Sequence, residues 1–286
     1  MAIFYETIPS SLMEWIRQQK LFYVATSPLS GQGHVNLSPK GGEYFGLTDE
    51  KTFYYQDFSG SGIETISHLL EPGNGRITIM FNAFDGPPKI IRLWGCGRVL
   101  ENGTTAFSDF MSEHSITTSF HTRSIIVVDI HQVGGSCGFS VPYYDFKGFR
   151  PILNDFFSKK ERRYQDGKED ESMDHYWAYK NAWSMDGLPA LQRGAVAAKK
   201  YSIAPIKKMI GPVAPTRYKH GFGFTAQQVL LIALLNFFIG LAVAFYAHGV
   251  AEKVVQVIKG SPLELNIDNM THAPSLDGLT GLWSTK

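Results

Sequence analysis

Two rhythms of apolar and polar positions divide this chain. Over residues 11–19, Leu12, Trp15 and Ile16 recur at helical spacing and predict a short amphipathic helix. Residues 21–26 (LFYVAT) follow, aromatic and β-branched, and predict a strand. Further strands are predicted at 34–37, 52–56, 76–81, 90–93 and 125–130, separated by the turn-forming clusters SPLSGQG, EPGNG and FDGPP. Closely spaced strands with few long helices predict an antiparallel barrel, mainly β with flanking helices. The polar, highly charged residues 159–174 predict an exposed helix or loop.

The second rhythm lies near the carboxyl end, where residues 224–251 carry no charge. Its densest part, residues 229–247 (VLLIALLNFFIGLAVAFYA), spans about 28 Å as a helix, close to the ~30 Å hydrocarbon thickness of a bilayer. A single transmembrane helix is expected, although a helix buried on all sides in a soluble core satisfies the same pattern. Its approach, residues 191–224, holds Arg193, Lys199, Lys200, Lys207, Lys208, Arg217 and Lys219 and no acid. That bias places the amino-terminal body in the cytosol. The stretch reads either as a solvated linker or as one lying on anionic headgroups. Expected divisions are therefore a folded domain over 1–190, a basic Pro/Gly-containing linker over 191–224, a transmembrane helix over 225–250 and a polar tail over 251–286. Gly240 and Ala244 form a small-xxx-small pair on the helix, and Asn269 begins a glycosylation sequon in the tail.

Composition narrows the class. With 44% apolar, 13% aromatic and 19% charged residues among 286, the chain has material for a sizeable core and is neither a disordered segment nor a disulfide-stapled miniprotein. Twenty-seven basic against 26 acidic residues leave a net charge of +1, so no chain-wide field favours nucleic acid. Cys96 and Cys137 stand 41 positions apart without a metal-ligand pattern, which points to two reduced thiols, with one disulfide as the alternative. The amino terminus, MAIFYETIPS, lacks the basic and apolar regions of a secretory signal.

The sharpest local signal is YYQDFSGSGIETISHLL, a strand running into Ser59, Gly60, Ser61 and Gly62 and then a helix beginning near Ile63. Glycines admit a close backbone approach, the hydroxyls of Ser59, Ser61 and Thr65 can donate, and the helix start adds partial positive charge, so the junction suits an anion. A capping box from Ser61 to Glu64 competes for the same groups. The dinucleotide fingerprint is opposed by Thr65 in place of its third glycine and by the lack of crossover helices. In HVNLSPKGG, Ser38 and Lys40 end a strand, and Lys40 is either the cation that the glycine turn lacks or a solvated turn residue. Arg92 and Arg98, six apart, share one strand face that meets solvent or a groove. Ser136 and Cys137 in SCGFSVP read as a turn with a buried thiol, since no histidine is placed by spacing as its base. No catalytic side chain and no metal ligand set is assigned.

Taken in order, ATSPLSGQGHVNLSPKGG, YYQDFSGSGIETISHL, ITIMFNAFDGPPKIIRLWGCGRVL, SCGFSVP and WSMDGLP resemble the pyridoxamine 5'-phosphate oxidase-like FMN-binding split barrels, in particular a subgroup with SPKG, SCG and DGLP elements. The resemblance covers roughly residues 8–190 and implies a six-stranded antiparallel split barrel, usually a homodimer with FMN between subunits. It places flavin contacts on Ser38, Lys40, Ser59, Gly60, Ser61, Gly62 and Thr65, with Arg92 on a strand lining the cleft. This chain offers residues 61–64 where the vitamin-converting oxidase has an Arg-Lys pair, and it lacks that enzyme's final substrate-recognition strand, so pyridoxamine phosphate oxidation is not implied. The expected function is a membrane-anchored flavoprotein carrying out oxidoreduction of an unknown small molecule, the alternative being a non-enzymatic membrane-tethered dimerisation or ligand-binding module.

Overall fold

The structure, a computed structural model, describes residues 2–212, 214 and 226–260. Eight strands form one sheet: β1 (Ile3–Tyr5), β2 (Leu21–Thr26), β3 (Asn36–Gly41), β4 (Phe45–Leu47), β5 (Thr52–Phe58), β6 (Arg76–Asn82), β7 (Ile90–Glu101) and β8 (Thr122–Ser136). Their order is β3-β2-β6-β7-β8-β5-β4, with β1 added to β8 and every pairing antiparallel. The sheet curls on itself. Phe22 of β2 and Phe53 of β5 are far apart in that order, yet their rings lie 5.5 Å apart, edge to face. Phe22 also meets Phe45, Tyr55 and Phe81, so one apolar core fills the inner face. Because β3 and β4 are the two ends of the sheet, the barrel is split along a seam between them.

Each predicted strand is present, and β7 and β8 run well beyond their predicted ends. Within β8 both faces are buried. Ile126 and Val128 enter the main core, while Ile125 and Val127 pack under Phe107 of α3 (Thr105–Glu113), which erases the alternation that marks a half-buried strand. Register shifts leave Arg123 and His131 of β8 without opposite residues, and such bulges bend a strand and re-aim its side chains.

Helices flank the barrel: α1 (Ser10–Arg17), α2 (Glu64–Leu70), α4 (Ile152–Gln165), α5 (Met173–Lys180) and α6 (Gln192–Lys200). The charged stretch expected to be exposed is mostly so, but Phe157 of α4 is fully buried. The first residues of the expected linker are folded structure. Leu191 is buried, and α6 packs so closely on α5 that a methyl group at Gly194 would sit 2.8 Å from the Trp177 carbonyl oxygen. Arg193 lies over the Trp177 ring at 4.8 Å. Beyond α6 the chain continues without regular secondary structure as a strap, where the Ile206 amide donates to the Tyr179 carbonyl at 2.8 Å. The first compact unit accordingly runs over Met1–Gly221.

The second unit contains α7 (Ala226–Gly260), 35 residues and about 52 Å long. Its apolar stretch, Ala233–Lys253, is 21 residues with mean hydropathy 1.7, and among the described residues it is the one helix long and apolar enough to cross a membrane. The helix continues to Gly260, so the first part of the predicted polar tail is helical. Gly240 and Ala244 both lie on it, whereas Arg217, Lys219 and Asn269 fall outside the described residues.

These contacts predict where the chain can be cut. A protein ending at residue 190 loses the buried side chains of Leu191 and Ala197 and uncovers Trp177, whereas one ending at residue 212 keeps them. Burying one leucine is worth about 1.5–3 kcal/mol. The shorter protein should therefore lose at least that much unfolding free energy and show a lower urea midpoint, and equal urea midpoints would show α6 to be dispensable.

Candidate functional site

A cavity of about 400 Å³ opens at the seam, between the inner face of β3, the end of β5 and the turn into α2. Strand pairing explains which β3 residues face it. Asn36, Ser38 and Lys40 stand opposite Thr26, Val24 and Phe22, all three buried, and cross-strand partners share a face. Leu37 points the other way and is 65% exposed.

The electrostatic centre is Asp57, which sequence reading did not single out. It follows Phe53 and Tyr55 on the inward positions of β5 and has no exposed surface. Lys40 Nζ donates to its Oδ1 at 2.8 Å, and Arg123 Nε donates to its Oδ2 at 2.7 Å. The bulge in β8 is what turns Arg123 inward at this point. Burial by itself would raise the Asp57 pKa, but the charges of Arg123 and Lys40 outweigh it and bring the value down to about 2. Arg123 Nη1 also reaches the Gly60 carbonyl at 3.3 Å, which ties the ion triad to the glycine turn.

The turn itself is held from behind by α5. Ser59 is buried, donates to the His121 carbonyl at 2.8 Å and accepts from Trp177 Nε1 at 2.8 Å, so its hydroxyl is committed within the fold. Asn181 Nδ2 donates to the Gly60 carbonyl at 2.8 Å. Ser61 is exposed and is not among the residues of the cavity wall. The expected capping box is replaced by another arrangement: Ile63 is the N-cap residue and makes no side-chain cap, and Glu64 Oε2 accepts from the Ile63 amide at 2.8 Å. Glu64 Oε1 accepts from the Met185 amide at 3.2 Å and lies 3.6 Å from Lys208 Nζ. Burial pushes the Glu64 pKa up, but Lys208 and these amides hold it below the ordinary value.

Of the residues read from the sequence, Ser38, Lys40, Ser59, Gly60, Gly62 and Thr65 line the cavity together. Ser38 Oγ donates to Asn36 Oδ1 at 2.9 Å, and Asn36 Nδ2 donates to Thr65 Oγ1 at 2.9 Å, so the β3 and α2 walls share one polar network. Arg92 stands elsewhere. It shares the outward face of β7 with Arg98 and donates to Ser136 Oγ at 3.2 Å. Cys137, expected to be buried, is exposed, as is Cys96, and both thiols are free. Arg123 was missed because it sits just before the predicted strand, in a bulge that no pattern announces. Asp57 did carry a signal, an acid on the inward positions of an aromatic strand. A larger groove, about 1700 Å³, shares Pro39, Gly41, Tyr44, Gln56, Phe58 and Leu153 with the cavity and adds aromatic walls from Trp15, Phe84 and Tyr144.

Removing one partner of a buried ion pair leaves the other uncompensated, at a cost of about 3–5 kcal/mol. Asp57→Asn should destabilise the barrel by roughly that much. The wild type should also carry an acid sensitivity that the variant lacks. A carboxyl held near 2 contributes stability that is fully present above its ordinary 3.8 and is lost as pH falls through about 2. Urea midpoints measured over that range check it, and parallel pH profiles for the two proteins would remove Asp57 from this role.

No family model matches the sequence. Among known proteins, the pyridoxamine 5'-phosphate oxidase family protein ustO of Aspergillus flavus is 36% identical over 199 residues, covering 67% of this chain and 78% of that protein. Solved structures similar to this chain include HupZ from Group A Streptococcus, 19% identical with a TM-score of 0.35, covering 44% of this chain and 92% of HupZ. The FAD binding protein of Mycobacterium smegmatis is 12% identical with a TM-score of 0.32, covering 46% of this chain and 96% of that one. With an antiparallel split barrel in hand and a relative of ustO's identity and coverage, the chain belongs to the pyridoxamine 5'-phosphate oxidase family.

Proposed function

We propose that the seam cavity holds the phosphate end of FMN and that the protein is a membrane-anchored flavoprotein oxidising or reducing a small molecule. The observation that carries this reading is the pair of cations, Lys40 and Arg123, aimed at one cavity wall by a single buried carboxylate. The residues fit the group. Lys40 commits one of its three N–H donors to Asp57, and Arg123 commits two of its five, to Asp57 and Gly60, which leaves donors for phosphate oxygens. Space above Gly60 is open, with no atom within 4 Å of where a Cβ would stand. The cavity's volume falls in the roughly 300–1,000 Å³ range of ligand sites, and the aromatic groove beside it offers room for a planar ring.

Bound FMN would supply hydride or electron transfer. This chain's own residues would grip the phosphate, orient the ring and limit water, and none of them is assigned a proton to move. A second copy of the chain is the expected partner. Val35 and Leu37 beside the seam are 74% and 65% exposed, as are Phe139 and Tyr143 at 82% and 81%, an apolar surface that a homodimer would cover. The rival reading, a tethered module without catalysis, draws on Ser59 being used internally and on Glu64 placing an acid in the wall.

Purified protein should show the blue and near-ultraviolet bands of oxidised flavin, and a colourless protein that FMN does not restore would favour the rival. Lys40→Ala should weaken FMN by about 1.5–3 kcal/mol, the range for a hydrogen bond to a charged group, and leave riboflavin nearly unchanged. Equal losses for the two ligands would remove the phosphate from Lys40.

The membrane reading rests on the apolar 21 residues of α7 and on the basic approach, which would keep the body cytosolic and the carboxyl-terminal segment across the bilayer. In sealed membranes, protease should digest the body and spare a short fragment containing α7. Release of the full chain by alkaline carbonate would refute the anchor.

A further inference from the structure

Resting on the reading of the seam as an anion site, we infer that Lys208, on the strap leading out of the barrel, is the residue that gives the site its net positive charge and so sets its selectivity for a phosphorylated ligand.

The argument begins with charge at the cavity. Lys40, Arg123 and Glu64 line it, and Asp57 lies buried directly behind. Two cations and two carboxylates cancel, so these four alone give a dianion no Coulombic reason to stay. Glu64 cannot be discounted as a neutral acid, because its carboxylate accepts from the amides of Ile63 and Met185, bonds that favour the ionised form. An ionised Glu64 in the turn itself would repel a phosphate.

Lys208 changes that balance. Its Nζ lies 3.6 Å from Glu64 Oε1, and its side chain is only 13% exposed, so water screens the pair poorly. The strap is fastened there by the Ile206 amide on the Tyr179 carbonyl, which brings the lysine to α2 from a segment distant in sequence. Among the described residues, Glu64 of α2, Arg123 of β8 and Lys180 of α5 are the charged groups that act on it most. Of these, the carboxylate is the one in ion-pair contact. With Lys208 charged, Glu64 is neutralised from outside the cavity and the seam turns positive. Burial is the largest influence on the amine and, with Arg123 and Lys180, outweighs Glu64, bringing its pKa down to about 8. The lysine is thus a positioning and charge-setting residue; it is absent from the cavity wall and needs no contact with ligand.

Fluorescence titration of the apoprotein with FMN and, separately, with riboflavin tests this directly. Lys208→Met should weaken FMN about tenfold, equivalent to ~1.4 kcal/mol, and leave riboflavin within about twofold. Lys208→Arg should bind as the wild type does. Adding Glu64→Gln to Lys208→Met should restore FMN affinity, since the repulsion goes with the carboxylate. In the wild type, FMN affinity should fall as pH rises through about 8 while riboflavin stays level, and Lys208→Met should lack that fall. Equal weakening of both ligands by Lys208→Met, without rescue by Glu64→Gln, would show a strap that merely packs, and the inference would fail while the flavin reading stood. A wild type that binds neither ligand would overturn both.

Discussion

A carboxylate with no exposed surface, gripped by a lysine from one end of the sheet and an arginine from a bulge in another strand, fixes the geometry on which this barrel's seam depends. The strands β3 and β5 share no backbone ladder, so the Lys40–Asp57 contact spans a gap that hydrogen-bonded pairing leaves open. Buried ion pairs are weak evidence for stability, since desolvation offsets most of the Coulombic gain. Their value here is directional. A carboxylate accepting from two cations at 2.7 and 2.8 Å tolerates little displacement of any of the three. The same contacts that close the seam therefore hold two cationic side chains at the cavity.

The glycine turn obeys a comparable constraint from the opposite side. Trp177 and Asn181 bind Ser59 and Gly60, and Trp177 is buried beneath α6. Helices that look like appendages to a β domain are thus the support of its glycine turn. A turn rich in glycine has little intrinsic preference for one shape. Fixing it requires donors from outside, and here they arrive from residues more than a hundred positions away.

This division explains what was legible in the sequence. Strands with one wet face, such as β2, declare themselves by alternation, and the glycine turn and SPKG element announce themselves by composition. The cavity was legible to the extent that its residues lie in these local motifs. Arg123 and Lys208 were not, because their roles depend on a bulge and on a strap's path, neither of which leaves a period in the sequence. Ser59 and Ser61 are legible as hydroxyls near a glycine turn, but composition does not say which way a hydroxyl points: one serves Trp177 and the other is exposed. Arg92 was chosen by its strand, and that strand's outward face keeps it from the cavity.

Charge in the seam has one further contributor to settle, the buried His68. Its Nδ1 lies 2.9 Å from Thr26 Oγ1, and Thr26 in turn accepts from Asn36 in the cavity wall at 3.2 Å. A protonated imidazole there would add a cation. Burial, the largest influence, holds its pKa below the ordinary value even though Asp186, Glu64 and Glu71 pull it upward, which favours the neutral ring. The polar network from Thr26 through Asn36 to Ser38 and Thr65 consequently shapes the floor without charging it. What remains, among the described residues, is a cavity bordered by five charged side chains, two of them carboxylates paired with cationic neighbours. Such an arrangement separates two tasks that a lone arginine would combine: Asp57 spends charge on geometry, and the strap supplies the surplus.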